Sequence, residues 1–317
     1  MPTRTPSTTP AMTLTDWGLL VALAAVWGGS YVFIKVAVED IGPLSVVFMR
    51  TALAATILYG ILRLRGLNMP RTAHAWKHYA VLGATNGAIP FSLIFWGETR
   101  IPSALAGILT AMVPIFTVLA AHVMTHDERL TPAKIAGIGL GMVGVIVILG
   151  EGLSTLNDGS LLGKLAVVVA TILYGYSNVY ARKVKGRPPL ELACGQMTAA
   201  AIWTLPLMLL DRPWSTAHWH GDAIAALLAL VLISTVLAYM LYFRLLATVG
   251  ATNTSQIGFL IPVSAMLLGV FTLNEHIAPI QLAGLLLIVL GMTVLDGRLW
   301  RRDRKTGALA TGGQENR

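Results

Sequence analysis

Apolar runs separated by short polar breaks recur along the whole chain, each long enough to cross about 30 Å of hydrocarbon as a helix. They predict ten spans, at 16–36, 43–63, 75–98, 103–124, 132–150, 160–182, 189–210, 222–246, 251–273 and 278–300. Residues 1–15, rich in Thr and Pro, lead straight into a full-length span and read as a disordered tail, not as a cleavable signal. Residues 301–317 read as a second such tail, cytoplasmic like the first. The expected architecture is an all-α integral membrane protein with no room for a soluble domain.

Composition agrees with the pattern. Hydrophobic residues make up 55% and charged residues 12%, against about 45–50% and 25% in soluble domains. The net charge of +8 invites a nucleic-acid partner, but the placement of the basic residues rejects it. With the N-terminus in the cytoplasm, nearly all Lys and Arg fall on the inner side. Only Lys35, Arg100, Lys164 and Arg212 fall outside, with Arg50 within a span. This is the positive-inside pattern, so the charge orients the chain and meets anionic lipid. The single Cys194 lies in a predicted span and can form no intramolecular disulfide.

One apolar run contains an anomaly. Residues 26–35 read VWGGSYVFIK, placing Trp27, Gly28, Gly29, Ser30 and Tyr31 near mid-span, and residues 174–182 repeat the theme as YGYSNVYAR. Pro43 and Pro189, Pro114 and Pro262, Glu128 and Glu275, Pro132 and Pro279, and Gly144 and Gly291 recur at offsets of 146 to 148 positions. A near-constant offset across several spans implies two copies, 16–150 and 151–300. Five spans in each make the second copy enter from the opposite side, an inverted repeat. Opposed repeats suit alternating access around a midplane site.

These residues resemble the drug/metabolite transporter superfamily, specifically its EamA-type exporters. The resemblance rests on the five-plus-five pattern, the aromatic-Gly pair and later basic residue in spans 1 and 6, Arg50 in span 2, and the matching segments SALAGILTAMVPIFTVLAAHVMTHDERLTPAKIAGIGLGMVG and ATNTSQIGFLIPVSAMLLGVFTLNEHIAPIQLAGLLLIVLG. It implies export of amino acids, metabolites or drugs across the inner membrane. The sequence departs from the family where Asn274 precedes Glu275 and Asp127 precedes Glu128, positions at which Gly is usual. It also carries Gln196 where the first copy has Arg50.

Candidate binding residues follow from depth. Trp27, Ser30, Tyr31 and Ile34 share one helix face, and Tyr174, Ser177, Asn178 and Ala181 repeat that spacing. Polar groups at this depth gain by facing protein or water, although Gly28 and Ser30 also suit close helix packing with Trp27 filling space. Pro90, Pro114 and Pro262 free the carbonyls of Asn86, Thr110 and Gly258. Such carbonyls either line a cavity or are satisfied by neighbours at a kink. Phe91, Trp96, Tyr239 and Tyr242 could pack an apolar or aromatic cargo, with Trp96 and Tyr242 also placed for interfacial belts. Arg50 and Lys35 are cations for a cargo carboxylate, Arg50 being equally suited to a structural pair with a carbonyl or Glu98. All fifteen Asp and Glu lie at span ends or in loops, which weakens a proton-coupled cation antiporter.

Other motifs carry little. GLGMVG at 139–144 lies inside a span with no preceding strand, and Gly137, Gly141 and Gly144 share a face suited to tight packing. His74 with His78 and His122 with His126 have metal spacing but no third ligand, so headgroup contact explains them better. GSLLGKL is not a phosphate loop. No cofactor is expected, and the chain is read as a non-enzymatic exporter whose partners are a small-molecule substrate and membrane lipids. The expected cargo is an aromatic or hydrophobic amino acid. The rivals are an exporter of drugs or other lipophilic compounds and, from another class, an enzyme or assembly factor acting on lipids.

Overall fold

A computed structural model describes residues 12–125, 130–150, 159–184 and 186–296. The predicted N-terminal tail up to residue 11, the C-terminal tail and the repeat boundary near residue 151 lie outside these residues. Among them every regular element is helical. Eight helices are long and apolar enough to cross a membrane, and two shorter apolar helices, Ile257–Leu273 and Pro279–Leu295, follow. The sequence's ten apolar runs thus become eight full-length rods and two short ones. The ninth run loses its first turn because Gly250, at φ 75°, breaks the chain and a turn at Ser255 and Gln256 precedes Ile257.

Helix α1 (Leu14–Ile41) overshoots the predicted run at both ends. Thr13 and Asp16 form a reciprocal cap, with Asp16 N donating to Thr13 Oγ1 at 3.2 Å and Thr13 N donating to Asp16 Oδ2 at 3.0 Å. At the far end Gly42, at φ 89°, turns the chain, and Pro43 starts α2 (Pro43–Leu64). Pro189 starts α9 (Pro189–Asp211) in the same way, and Pro132 and Pro279 start α7 (Pro132–Gly150) and α14 (Pro279–Asp296). A first-turn proline loses no helical hydrogen bond, so these repeat-related prolines mark helix starts.

The mid-span prolines act in three ways. Ahead of Pro90, α3 (Ala73–Gly83) opens into a π-helical turn over Ala84–Ala88 before α4 (Ile89–Glu98). At Pro114 the helix breaks outright, leaving α5 (Ser103–Thr110) and α6 (Val113–Met124). Pro262 is carried within α13 (Ile257–Leu273). A second π-helical turn, Leu232–Leu237, separates α11 (Gly221–Val231) from α12 (Ala238–Thr254) with no proline at all. The remaining elements are α8 (Ser160–Tyr180), a 3-10 turn over Ala181–Val184 and the single turn α10 (Pro213–Thr216).

Helices pack chiefly against the other repeat. The main partners are α7 with α14, α2 with α9, α1 with α13 and α6 with α8. Glycines set the closest approaches. A Cβ on Gly137 would lie 2.6 Å from the Gly291 carbonyl oxygen, and one on Gly144 would lie 2.6 Å from that of Gly284. Gly28 lets α1 meet the Ala265 backbone and Gly175 lets α8 meet that of Phe116 and Thr117. The glycines of the two aromatic-Gly motifs therefore serve helix contact, and the adjacent aromatic and hydroxyl groups remain for other work.

Candidate functional site

The seam between the repeats gathers a polar and aromatic cluster around Arg50. Its side chain is buried, and its Nε donates to Thr235 Oγ1 at 3.0 Å. The guanidinium carbon lies 4.4 Å from the ring centre of Phe91 and 5.7 Å from that of Phe95, an arrangement in which ring faces offset part of the cost of burying the charge. Tyr174, Tyr239, Tyr31 and Glu98 are within electrostatic reach of it. Among the described residues neither terminal amino group of the fork has a hydrogen-bond partner. That fork is the geometry that grips a carboxylate through two parallel bonds.

The two π-helical turns deliver this arrangement in matching fashion. Thr235 in the second turn receives Arg50 of α2, while Asn86 in the first donates to Gln196 of α9 at 3.4 Å. Gln196 stands 146 positions after Arg50. In α8, Ser177 donates to Thr85 of the first turn at 2.6 Å, and Ser234 of the second turn donates to the Val26 carbonyl of α1 at 3.3 Å. Each π turn thus bonds two helices of the opposite repeat. Gln196 also donates to the Tyr239 hydroxyl, so its amide links both repeats at the cluster.

Of the sequence candidates, Tyr31, Arg50, Asn86, Phe91, Thr110, Tyr174, Ser177 and Tyr239 belong to this network or its edge. The Tyr31 hydroxyl shares a 2.6 Å hydrogen bond with Thr110 Oγ1. Trp27 and Tyr242 contact each other, ring centres 5.7 Å apart, within a separate apolar cluster around Leu20, Leu23 and Leu245. Ser30 is buried and bonds the Trp27 carbonyl of its own helix. Gly258 faces Pro114 and Met292. Asn178 and Trp96 also lie apart from the cluster: Asn178 is exposed and bonds Thr117 at 3.2 Å, and Trp96 lies under the Arg100 guanidinium at 3.8 Å. Lys35 is committed to the Glu98 carbonyl oxygen at 2.8 Å. Among the described residues Arg50 bonds a hydroxyl, Thr235 Oγ1, and not the carbonyl or Glu98 of the structural-pair alternative.

Thr85, Gln196 and Thr235 complete the cluster without having been candidates. The repeat offset already pairs Gln196 with Arg50; nothing in the sequence marks the π turns that aim Thr85 and Thr235.

A cavity of about 730 Å³ opens elsewhere, between Tyr59, Arg63, Asn68, Arg71 and Trp76 at the end of the bundle that holds the basic loops. None of the sequence candidates lines it.

The EamA-like transporter family model matches the chain twice, over residues 16–150 and 161–295. The chain belongs to the EamA-like transporter family. Its two matches fit a two-repeat architecture. An uncharacterized transporter, YoaV, of Bacillus subtilis is 24% identical over 86% of this chain and 94% of its own length. A probable terminal-alkyne amino-acid exporter of Streptantibioticus cattleyicolor is 27% identical over 91% of this chain and 95% of its own. The uncharacterized inner membrane transporter YedA of Escherichia coli K12 is 24% identical over 88% and 90%. A solved crystal structure covering 91% of this chain and 99% of its own superposes with a TM-score of 0.63 at 19% identity, which establishes a shared fold.

Proposed function

We propose that this EamA-family transporter exports small carboxylate-bearing metabolites, in the first place aromatic or hydrophobic amino acids, across the inner membrane by alternating access. The carrying observation is the buried Arg50 fork, held by Thr235 and Phe91 at the seam of two repeats and surrounded by Tyr31, Tyr174 and Tyr239. A guanidinium kept at membrane depth with unused donors suits a cargo anion, and the tyrosine rings suit an apolar side chain. An amino-acid exporter and an inner-membrane transporter among the similar proteins support the cargo class and the compartment.

In this reading the eight long and two short helices are ten spans arranged as inverted five-helix repeats, both termini are cytoplasmic, and the end bearing Asp40, Glu98 and Glu275 faces outward. The bonds that each π turn makes to the opposite repeat lie where the two bundles must slide, and a π turn marks a helix segment able to change register. Counterflow in proteoliposomes tests the function. Preloaded phenylalanine or leucine is expected to drive uptake of the labelled form, and no counterflow with any member of an amino-acid panel would sink the proposal. Flux restricted to amphiphilic cations and unaffected by Arg50→Gln would favour drug export instead.

A further inference from the structure

The carboxylate of Glu98 is costly as an ion where it sits. The residue ends α4 and is fully buried, and neither Oε1 nor Oε2 has a hydrogen-bond partner among the described residues. The charges facing it have other commitments. Lys35 of α1 donates to the backbone carbonyl of Glu98 at 2.8 Å and not to its carboxyl. Arg50 of α2 bonds Thr235. Lys164 of α8 donates to Ile148 O at 3.1 Å. Arg100, just beyond, lies over Trp96. The other acid within electrostatic reach is Glu275, whose two oxygens accept Ser103 N and Ala104 N at 2.7 and 2.8 Å, capping α5 from the opposite repeat. The α5 face contributes Ser103, whose Oγ is likewise buried without a partner. The Tyr31 hydroxyl is within electrostatic reach and bonded to Thr110.

A carboxylate with no hydrogen-bond donor among the described residues and a second carboxylate nearby is costly as an ion, a cost that the Lys35 ammonium, bonded to the backbone carbonyl, offsets only in part. We propose that Glu98 is a proton-binding site tied to closure of the outer end of the transporter: the carboxylate takes one proton from the outer aqueous phase as the Glu275 cap seats on α5, and returns it when that contact opens and water reaches the side chain. No bond but the O–H forms or breaks. Because the closed arrangement holds the extra proton, low outside pH favours closure, with the closed-to-open ratio changing by up to about tenfold per pH unit. The outward assignment rests on the transport reading above; the proton site itself does not.

The full-length chain in lipid vesicles allows separate tests. Infrared difference spectra between acid and alkaline buffer should show a protonated-carboxyl C=O band that disappears in Glu98→Gln and shifts in Glu98→Asp. Alkylation of Ser103→Cys from outside should speed up with rising pH more steeply than ionisation of the thiol alone requires, and Glu98→Gln should remove that excess and leave only the thiolate dependence. An unchanged band in Glu98→Gln, or an unchanged pH dependence of labelling, overturns the proposal. If Glu98→Gln fails to fold, Glu98→Asp decides it, an unshifted band counting against. Absence of amino-acid counterflow with the infrared band intact would sink the export reading and leave the proton site standing.

Discussion

Arg50 and Thr235 are joined by a single 3.0 Å bond from guanidinium to hydroxyl that crosses from one repeat to the other. Removing the charge while keeping the shape should weaken cargo binding by the worth of a charge-assisted hydrogen bond, about 1.5–3 kcal/mol, or roughly ten- to a hundredfold. Arg50→Gln is therefore expected to raise the half-saturating phenylalanine concentration by that factor. Arg50→Lys should not restore it, because an ammonium cannot bond Thr235 and grip a carboxylate with a planar fork. Counterflow of labelled phenylalanine across a concentration series checks this, and equal apparent affinity in all three proteins would remove Arg50 from the site.

The glycines at the two repeat-related contacts predict a stability effect. A Cβ on Gly28 would lie 2.0 Å from Ser264 Oγ and 2.7 Å from Ala265 N, and one on Gly175 2.6 Å from Phe116 C. Backbone cannot yield as a flexible side chain does, so Gly28→Ala and Gly175→Ala should each cost about 1–3 kcal/mol. Gly18, in the same helix as Gly28 but with nothing within 4 Å, is the control. Gly18→Ala should be neutral or stabilising by up to about 1 kcal/mol. Thermal unfolding in detergent separates the three, and parity between Gly18→Ala and Gly28→Ala would refute the packing argument.

Much of this is legible in the sequence, because hydrophobic run length and first-turn prolines are local signals. Pro43, Pro189, Pro132 and Pro279 start helices where their spacing placed them. Arg50, Tyr31 and Tyr174 stood out because polar groups are costly at their depth. The π turns were not legible: the first precedes a proline, but the second has none, so Thr85 and Thr235 carried no mark. Charge near a span end also misleads. Glu98 ends its helix like a residue bound for water, yet the packing of α1, α5 and α8 buries it completely. Asn178 errs the other way, its polar group sharing the face of Tyr174 by spacing but bonding Thr117 at the exposed side of the bundle.

Asn274 explains a departure from the family's usual Gly-Glu. It ends α13 at φ 52°, a left-handed conformation that Gly adopts freely and Asn tolerates better than other side chains. The turn sets Glu275 on α5, so Asn274→Gly should be nearly neutral while Asn274→Val should cost about 1–2 kcal/mol. Glu275→Ala should cost a similar amount through the lost cap. Since both changes act through one contact, the double variant Asn274→Val/Glu275→Ala should be less destabilised than the sum of the two. Full additivity in thermal unfolding would show that the turn does not work through Glu275.

Asp40 and His220 give a pH dependence whose sign is fixed. The imidazole Nδ1 lies 2.9 Å from Asp40 Oδ2, and this hydrogen bond together with the carboxylate charge raises the His220 pKa above its usual range. A raised folded-state value means that the contact stabilises fully below the unfolded histidine value of about 6.5, and that the benefit fades as pH rises through the folded value. The group is exposed, so salt should weaken the contact. The melting temperature of the wild type minus that of His220→Gln is expected to be largest in acid, to shrink toward alkaline pH and to diminish at high ionic strength. Taking the difference against His220→Gln removes the contribution of titrating groups that do not interact with His220. A difference that holds constant across the pH series would mean that His220 acts through packing alone, while one that grows with pH would require the imidazole to be held neutral against Asp40.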